Sequence, residues 1–376
     1  MRILQISSAR TFGGGERHLA DLARGLSERG HEVFAALPPS SPLRDKLDPI
    51  PPRSVFTLPL LGALDLTSAA RLARLARNHE IEIIHAHVAR DYPPAALAAR
   101  LAPRARLVIT RHVLFPLGRI HRRALANVAR VIAVSETVAR LLRAQQIFPA
   151  DKIRVVTNAV DLRRFDEARA RFERESRARA QSRVPLRVGI VGELSEVKGQ
   201  EDFVRAAAIV GRFNEGEGVE FVIVGEDASR AGENRARIEK LVAELGLTKQ
   251  VRLLGRRDDV ADVLASLDVL VSASRTEAFG MAMVEAMACG VPVVATATEG
   301  AREIIADGIT GSLVPIGDVR ALAAAVASLL EDGPRRLELG ARGRESARAR
   351  FGLGRMAEET ERVYAEALGP GGEPHS

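Results

Sequence analysis

Two glutamates, Glu277 and Glu285, lie in a segment where a loop, a helix and a strand follow one another over residues 276–294. The pattern predicts a helix that begins near Phe279 or Gly280, so its first N–H groups and the positive end of its dipole could hold a diphosphate. Glu285 would lie about 9 Å farther along the helix, where its carboxylate could accept both hydroxyls of a ribose. Glu277, before the helix, could accept a sugar hydroxyl. The segment therefore indicates a site for a diphosphate joined to sugars.

Glycine-rich loops occur near the first strand of each half of the chain. Gly13, Gly14 and Gly15 follow the first apolar run, and Gly189 and Gly192 lie around a second such run. Glycine lets a backbone approach a phosphate closely, and the helix that follows presents unpaired N–H groups. Neither loop has the full spacing of an NAD or ATP site. Two interpretations stay open here, a phosphate-binding loop and a plain strand-to-helix turn.

Three histidines lie at or near predicted strand ends. His112 ends a strand of a parallel sheet, and ligands collect at that edge, so we expect it in the site. His85 and His87 are spaced like metal ligands, but we expect their side chains to point to opposite faces of the strand, which disfavours a shared ion. No Asp-x-Asp pair indicates a required divalent cation. We therefore predict no metal site and no cofactor.

Short apolar runs alternate with helical patterns along the chain, which is typical of parallel sheets covered by helices on both faces. The pattern runs through residues 1–165, gives way to an almost purely charged stretch over 166–183, and restarts over 184–350. We predict two Rossmann-like α/β domains with mostly parallel sheets, joined by an exposed connector or solvated helix. A helix at about 355–368 is expected to pack back on the first domain, before a disordered tail at 369–376.

Composition places the chain among folded globular proteins, with 46% hydrophobic and 27% charged residues in a length of 376. The single cysteine, Cys289, excludes a disulfide framework and a cysteine-rich zinc site. The N-terminal apolar stretch is too short for a signal peptide, and no later stretch reaches the roughly 18 apolar residues of a membrane span. We therefore expect a cytoplasmic protein.

Positive charge is concentrated in the first half of the chain. Residues 1–165 hold 26 basic and 13 acidic side chains, against 29 and 35 in the remainder. We expect the first domain to face an anionic partner. The basic segments Arg71–Arg77 and Arg119–Arg123 fit either solvated helix faces or contact with the anionic inner face of the cell membrane. Nucleic acid is disfavoured, because the basic residues lack the interleaved aromatic side chains that stack on bases.

The stretch from Thr276 to Val294 contains two glutamates, the second of which begins Glu-Ala-Met-Ala-Cys-Gly-Val-Pro-Val-Val. In this it resembles the signature of the family 4 retaining glycosyltransferases, and the resemblance extends over nearly the whole chain. It implies the GT-B fold, in which two Rossmann-like domains face an interdomain cleft. It also implies transfer of a sugar, with retention, from a nucleotide-diphosphate sugar as co-substrate. The acceptor would be a saccharide or a lipid-linked molecule in the synthesis of a cell-envelope polysaccharide or glycolipid.

The resemblance further implies roles for single residues. Lys198 would face the diphosphate, Glu285 the ribose, Glu277 the donor sugar and His112 the reacting sugar. Lys198, Glu277 and His112 are thus the catalytic candidates. The other donor-side residues come from a glycine loop, a strand end near the base and the start of the signature helix: Gly192, Glu193, Gly255, Arg256, Phe279, Gly280 and Met281. The acceptor side would be formed by Gly13, Gly14, Gly15, His85, His87 and Asp91.

One departure from the family pattern concerns charge near the diphosphate. Most members have a glycine followed by an arginine, whereas this chain has Gly192 followed by Glu193. A carboxylate beside a diphosphate is unfavourable. Either Glu193 turns away and an arginine such as Arg111 or Arg275 compensates, or the donor loop is displaced, or the activity is weak. We expect compensation. Two alternatives to transfer stay open, namely a nucleotide-sugar epimerase of the same fold and a non-catalytic protein that senses a nucleotide sugar.

Overall fold

A computed structural model describes residues 1–11, 13–48, 50–118, 121–178, 185–213 and 218–369. The chain forms two compact units, Met1–Ala159 with Leu353–Ser376, and Val160–Gly352. Within the second unit, the residues where the chain enters and leaves lie together, because the Val160 N–H donates to the Phe351 carbonyl at 2.9 Å. Arg119, the end of the predicted connector at 179–183 and the predicted tail beyond Gly369 lie outside the described residues.

The first unit is built on a seven-stranded sheet of order β3-β2-β1-β4-β5-β6-β7, in which all neighbours are parallel. Its strands are β1 Arg2–Ile6, β2 Glu32–Leu37, β3 Val55–Thr57, β4 Ile83–Ala86, β5 Arg106–Arg111, β6 Val128–Ala133 and β7 Ile153–Val155. Its first helices are α1 Gly14–Glu28, α2 Leu66–Asn78, α3 Tyr92–Leu101, α4 His121–Ala124 and α5 Glu136–Gln145. Four of the five β1 residues and five of the six β5 residues are buried, as expected for strands covered on both faces.

The second unit repeats this plan with a six-stranded parallel sheet of order β10-β9-β8-β11-β12-β13. Its strands are β8 Leu186–Val191, β9 Val219–Val224, β10 Val251–Gly255, β11 Val269–Ser272, β12 Val293–Thr296 and β13 Ser312–Val314. Its helices are α6 Leu162–Ala178, α7 Gln200–Phe213, α8 Glu233–Glu244, α9 Val260–Ala265, α10 Met281–Ala288, α11 Glu299–Ile304, α12 Val319–Glu331 and α13 Gly333–Arg350. The prediction of an α/β protein with two mostly parallel sheets is confirmed.

The last helix, α14 Leu353–Leu368, belongs to the first unit. It packs on α1, β5 and β6, and its side chains Met356, Val363 and Tyr364 are buried in the core of that unit. Gly25 of α1 marks how close the two helices come, because a Cβ there would lie 2.9 Å from the Cβ of Ala357. The helix that completes the first unit therefore begins more than 190 residues after the end of β7, the last strand of that unit.

The charged stretch predicted as a connector has a different role. Most of it forms α6, which begins at Leu162 and packs on α9 and α10 of the second unit. Phe165 and Ala168 are buried, while Asp166 pairs with Arg344 and Arg348. The apolar residues of α6 recur three positions apart on one side, so this strongly charged sequence forms an amphipathic helix. The boundary between the units accordingly falls after Ala159, six residues before the predicted one.

Short local signals set several helix starts. Ser135 caps α5 by accepting a hydrogen bond from the Val138 N–H, and Thr298 caps α11 by accepting one from the Ala301 N–H. Among the described residues, no helix is both long enough and apolar enough to cross a membrane.

Candidate active site

The candidate site of the second unit lies at the carboxyl ends of β8 and β11, where the strand order of the sheet reverses. Open α/β sheets bind ligands at such a switch point. The loop after β8 carries Lys198 and the loop after β11 carries Glu277, and the Lys198 Nζ lies 2.7 Å from the Glu277 Oε2. The Ser274 hydroxyl donates to the same oxygen at 3.2 Å. The structure thus brings together the two predicted catalytic candidates of this unit.

Two glycines allow these loops to pack against each other. Gly199 has a φ of +70°, and a Cβ there would lie 2.1 Å from the Ala273 carbonyl oxygen. Gly280 has a φ of +113°, and a Cβ there would lie 2.1 Å from the Met283 methyl carbon. Both positive φ angles disfavour a side chain. At Gly199 the backbone contact also excludes one, whereas at Gly280 the contact is with the end of the flexible Met283 side chain. The close approach holds the Lys198 loop against the end of β11.

The signature helix α10 begins at Met281, one residue after the predicted start, with Gly280 as its N-cap. Glu285 lies one turn inside the helix and is buried, with 7% of its surface exposed. The Phe279 ring is also buried, and it packs edge-on against Phe351 with 5.6 Å between the ring centroids. Because that ring is part of the core, the contribution of Phe279 to a ligand site is limited to its backbone.

Each arginine that was expected to compensate Glu193 has a partner of its own. Arg275 pairs with Asp202, with 3.0 Å between Nη2 and Oδ2, and Arg111 in the first unit donates to the Phe115 carbonyl. Glu193 itself has an exposed side chain, and its carbonyl accepts a hydrogen bond from the Gln200 Nε2 at 2.9 Å. Glu193 thus lies beside the loop with its carboxylate turned to solvent, which is the less costly place for it.

The predicted base-binding residues lie at the end of β10. Gly255 has a φ of +67°, and its carbonyl accepts a hydrogen bond from the Gly225 N–H at 2.9 Å. Arg256 is exposed and lies 3.4 Å from Glu226. Strand β10 is shifted by one residue against β9 just before Gly255. The strand end is thus irregular, and the neighbouring Arg256 side chain is turned to solvent.

A cavity of about 310 Å³ lies beside the Lys198 loop, but it does not contain the chemistry-bearing residues. Its lining is polar, with arginine and carboxylate side chains in similar number, and includes Gly199 and Arg275. Lys198, Glu277 and Glu285 are not part of that lining. We place the candidate site at the Lys198–Glu277 pair, because a cation, a carboxylate and the start of the signature helix converge there at the switch point of the sheet.

The first unit has a corresponding edge at the ends of β1, β4 and β5, where its strand order also reverses. The glycine loop begins α1 here, with Gly13 as the N-cap, and its N–H donates to Glu16 at 2.9 Å. A Cβ on Gly15 would lie 3.7 Å from the His112 ring. The structure therefore brings the glycine loop next to the histidine that follows β5.

His85 and His87 share a face of the sheet, and the expectation that they point to opposite faces was wrong. Their ring centroids are 4.2 Å apart, as residues two positions apart in a strand should be. His85 is fully buried, with Nδ1 2.7 Å from the Tyr364 hydroxyl and Nε2 2.7 Å from the Thr110 hydroxyl. Because both of its ring nitrogens are used inside the core, His85 cannot contact an acceptor, and its role in this structure is to tie α14 to the sheet.

His18 was not among the predicted site residues. It lies on the buried side of α1, and its ring centroid is 4.8 Å from that of His112 and 5.7 Å from that of His87. Burial lowers the pKa of His18 to about 4, although the nearby Asn158 side chain acts in the opposite direction. Burial and the neighbouring imidazoles also lower the pKa values of His87 and His112 well below the usual range. These imidazoles are therefore neutral at pH 7.

Asp91 holds the loop after β1 in place. Its Oδ2 accepts a hydrogen bond from the Ser8 N–H at 2.7 Å, and the neighbouring Arg90 Nε donates to the Ser8 hydroxyl at 2.6 Å. The carboxyl group is 1% exposed, and burial raises its pKa to about 6. In this structure the predicted acceptor-side residue Asp91 thus bonds to the protein backbone.

Two family models match the chain, one on each half. The model described as Glycosyltransferase Family 4 matches residues 12–164, and the model described as Glycosyl transferases group 1 matches residues 172–346. These matches, together with the fold of two parallel-sheet units, identify the protein as a glycosyltransferase of the GT-B type. The chain belongs to the family 4 glycosyltransferases.

Relatives and solved structures cover nearly the full length. N-acetyl-alpha-D-glucosaminyl L-malate synthase of Bacillus anthracis is 28% identical over 95% of this chain and 95% of that protein. The lipopolysaccharide core biosynthesis glycosyltransferase LpsE of Rhizobium meliloti is 27% identical over 90% of this chain and 92% of its own. The structure of Anabaena HepE in complex with UDP and glucose has a TM-score of 0.81 at 25% identity, over 96% of this chain and 99% of that one. The chain is thus similar along its whole length to enzymes that transfer sugars.

Proposed function

We propose that this glycosyltransferase takes its sugar from a nucleotide-diphosphate sugar and transfers it, with retention, to the hydroxyl of a separate acceptor. The observation that carries the proposal is the 2.7 Å contact between Lys198 and Glu277 at the switch point beside the start of α10. A lysine and a helix N-terminus together suit a diphosphate, and a carboxylate next to them suits a sugar hydroxyl. The similarity to HepE, which was solved with UDP, favours a uridine nucleotide.

In the proposed reaction, the acceptor oxygen forms a bond to the anomeric carbon as the bond between that carbon and the diphosphate oxygen breaks. The hydroxyl proton leaves with the diphosphate oxygen on the same face of the sugar. Lys198 and the N–H groups at the start of α10 would stabilise the negative charge that develops on the diphosphate. Glu277, which pairs with Lys198 in this structure, would accept a hydroxyl of the donor sugar once the diphosphate engages the lysine. No metal ion takes part in this scheme.

The proposed acceptor is anionic, because residues 1–165 carry twice as many basic as acidic side chains. The two relatives that span the chain are named for a malate product and for lipopolysaccharide core synthesis. A small hydroxy acid and a saccharide or lipid-linked acceptor of the cell envelope are therefore the two acceptor types to test.

A second observation favours the envelope acceptor. Leu61, Leu64 and Leu66 are 75%, 92% and 68% exposed, and they directly precede the exposed arginines Arg71 and Arg74 of α2. Exposed leucines beside basic side chains suit the surface of an anionic bilayer. If this segment binds membranes, Leu64→Ser should reduce flotation of the protein with vesicles that contain anionic lipid, while Leu337→Ser, at a leucine 69% exposed in the second unit, should not.

The donor site is tested by thermal unfolding with millimolar UDP, GDP, ADP or NAD. A ligand that binds only the native state at 100 times its Kd adds about 2.7 kcal/mol to stability, which raises the midpoint by several degrees. We expect the midpoint to rise with one nucleoside diphosphate and to rise clearly less in Glu285→Ala. Glu244→Ala, which removes an exposed carboxylate of α8, should respond as the wild type does. No rise with any nucleoside diphosphate, or a rise with NAD alone, would contradict the proposal.

Catalysis is tested by incubating donor with each acceptor type and following both products. Transfer, or slow donor hydrolysis, that is lost in His112→Ala and Glu277→Ala would exclude a non-catalytic sensor. Formation of the epimeric donor without an acceptor would instead support an epimerase and overturn transfer as the main activity. The anomeric configuration of the product, read by nuclear magnetic resonance, tests retention.

A further inference from the structure

Three imidazoles of the first unit, His18, His87 and His112, form a group that we call the histidine cluster. One nitrogen from each ring lies within 4.8 Å of one nitrogen from each of the others. They come from three different elements, since His18 is in α1, His87 follows β4 and His112 follows β5. The closest pair, His87 Nδ1 and His112 Nε2, is 3.4 Å apart. Three imidazoles this close together can pack as core side chains, and they are also close enough to bind one metal ion.

The hydrogen bonds around His87 leave its ligand nitrogen free of a proton. The Gln5 Nε2 donates to the Tyr364 hydroxyl at 3.3 Å, which turns the Gln5 Oε1 toward His87. That oxygen lies 2.7 Å from the His87 Nε2, which must therefore carry the proton. The lone pair of Nδ1 then points toward His112. Metal-bound histidines are oriented in the same way, by donating their other N–H to a carbonyl or carboxylate oxygen.

The other two rings have nitrogens that the protein does not use. His18 is 2% exposed, and among the described residues neither of its ring nitrogens makes a hydrogen bond of normal geometry, although the Asn158 side chain lies close enough to raise its pKa. On His112 the nitrogen that faces His87 is Nε2, 3.4 Å from the His87 Nδ1, and its Nδ1 is buried without a partner in that part of the chain, so Nδ1 can take over the ring proton when Nε2 binds an ion. Leaving a buried ring nitrogen of His18 unpaired costs about 1–3 kcal/mol, so a species that bonds to it would be stabilising. His112 as a whole is only half-buried, whereas His18 and His87 are buried.

We propose that the histidine cluster binds one divalent transition metal ion, such as Zn²⁺, through one nitrogen each of His18, His87 and His112. Imidazole nitrogen is the ligand that Zn²⁺, Cu²⁺, Ni²⁺ and Co²⁺ favour over the oxygen ligands of Mg²⁺ and Ca²⁺. Tetrahedral Zn–N bonds of about 2.0–2.1 Å place ligand nitrogens about 3.3 Å apart, and the His87–His112 pair already has that spacing. Closing the rest of the triangle requires a shift of His18 by about 1.5 Å at most.

The consequence of this site is inhibition. The ion would occupy the lone pair of a ring nitrogen of His112, the residue that we expect at the reacting sugar. Transfer that needs no metal would then be reversibly stopped by zinc and restored by a chelator. This consequence rests on the proposed function, whereas the metal site itself does not, so the two are tested separately.

The site is tested with Co²⁺ on the full-length, tag-free protein, without nucleotide or acceptor. Tetrahedral Co²⁺ absorbs visible light far more strongly than the hydrated ion, so a titration reports both geometry and stoichiometry. We expect one strongly absorbing Co²⁺ per chain, displaced by one Zn²⁺. His18→Phe keeps a ring in the same place but removes both nitrogens, and it should weaken binding by ~100-fold or more. His79→Phe alters a histidine outside the cluster that packs on Phe34 and Phe56, and it should bind as the wild type does.

A second measurement keeps the test valid if His18→Phe does not fold. X-ray absorption of the wild-type protein loaded with one Zn²⁺ should give three imidazole ligands at about 2.0 Å. Absence of the strong Co²⁺ absorption, its persistence in folded His18→Phe, its loss in folded His79→Phe, or fewer than three imidazoles around zinc would each overturn the proposal. If metal binds but transfer continues unaffected, the site stands and the role assigned to His112 is wrong.

Discussion

The two units present the same edge of the same kind of sheet, yet they equip it with opposite chemistry. In the second unit, the ends of β8 and β11 carry Lys198 and Glu277, a charged pair in direct contact. In the first unit, the ends of β4 and β5 lead to His87 and His112, which are neutral at pH 7 because they are buried among other imidazoles. Strand order and switch point are equivalent in the two sheets. The sheet topology therefore sets the position of a binding site, and the loops at the strand ends supply its side chains.

This difference matches the two halves of the proposed reaction. A diphosphate leaving group gains negative charge, which a lysine and a helix start can hold. An acceptor hydroxyl is uncharged, and a positive histidine beside the anomeric carbon would oppose the positive charge that develops there. A neutral imidazole is therefore the suitable neighbour for the sugar. The predictions below test this contrast between a charged site in the second unit and a neutral one in the first.

The largest effect is expected for Lys198→Ala. Removing a group that stabilises transition-state charge typically lowers kcat by about 10²–10³-fold. Because the Lys198 side chain is about one-third exposed and surface ion pairs contribute little, the midpoint of thermal unfolding should change by only a few degrees. Arg205→Ala serves as the control, since it removes a cation of α7 that pairs only with Glu201 among the described residues. Equal losses of kcat in the two variants would contradict a specific role for Lys198.

The next effect concerns Asp91 and depends on pH. Burial raises the pKa of its carboxyl group from 3.8 to about 6, so the folded protein favours the protonated form. Stability is therefore highest below pH 4 with respect to this group, falls between about pH 4 and pH 6, and is level above that. A shift of about two pKa units corresponds to roughly 3 kcal/mol. Asp91→Asn keeps an acceptor for the Ser8 N–H but does not titrate.

Urea denaturation of wild type and Asp91→Asn across pH 4–7 measures this difference directly. The free energy of unfolding of the variant minus that of the wild type should increase with pH by up to about 3 kcal/mol. Other carboxyl groups titrate in both proteins and cancel in the difference. A difference that is constant with pH would show that Asp91 is already ionised in the folded state.

A smaller effect separates two glycines of nearly equal conformation in the second unit. Gly199 and Gly246 have φ angles of +70° and +72°, but a Cβ on Gly199 would meet the Ala273 carbonyl at 2.1 Å, while one on Gly246 meets nothing within 4 Å. Alanine in this conformation costs about 1–2 kcal/mol at either position. Gly199→Ala should cost about 1–3 kcal/mol more than Gly246→Ala in urea denaturation. Equal costs would mean that the Lys198 loop is not held against β11.

The spacing of apolar residues predicts the fold well, because the fold consists mostly of buried strands and amphipathic helices, which have a recognisable apolar pattern. The first strand of each unit, Arg2–Ile6 and Leu186–Val191, lies in one of the apolar runs on which the prediction of parallel sheets rests. The strands that were not predicted, Val55–Thr57 and Ser312–Val314, have three residues each and lie at sheet edges, where few side chains are buried. Such short runs do not show a period, so only pairing with a neighbour in space defines them.

The site divides in the same way. Lys198 and Glu277 are 79 positions apart in sequence but meet at one edge, which a parallel sheet dictates once the strands are known. His18 could not be predicted from strand ends because it lies inside a helix. The one signal in the sequence was its place on the buried face of α1, three residues after Gly15. The structural role of His85 depends on Tyr364, 279 positions away, and no local pattern predicts that contact.

The smallest effect is expected for Arg256→Ala, and it distinguishes backbone from side-chain recognition of the base. Arg256 is 55% exposed and lies 3.4 Å from Glu226, a pair that contributes less than about 1 kcal/mol. If the base is held by backbone groups at the end of β10, the variant should change the Kd for the bound nucleoside diphosphate by less than about fivefold. Glu285→Ala, measured by the same calorimetric titration, should weaken binding by tenfold or more, because it removes charge-assisted hydrogen bonds. A larger loss of affinity in Arg256→Ala than in Glu285→Ala would mean that an exposed arginine, rather than the strand end, recognises the nucleotide. The charged side chains that bind the donor in the second unit would then include more than the Lys198–Glu277 pair.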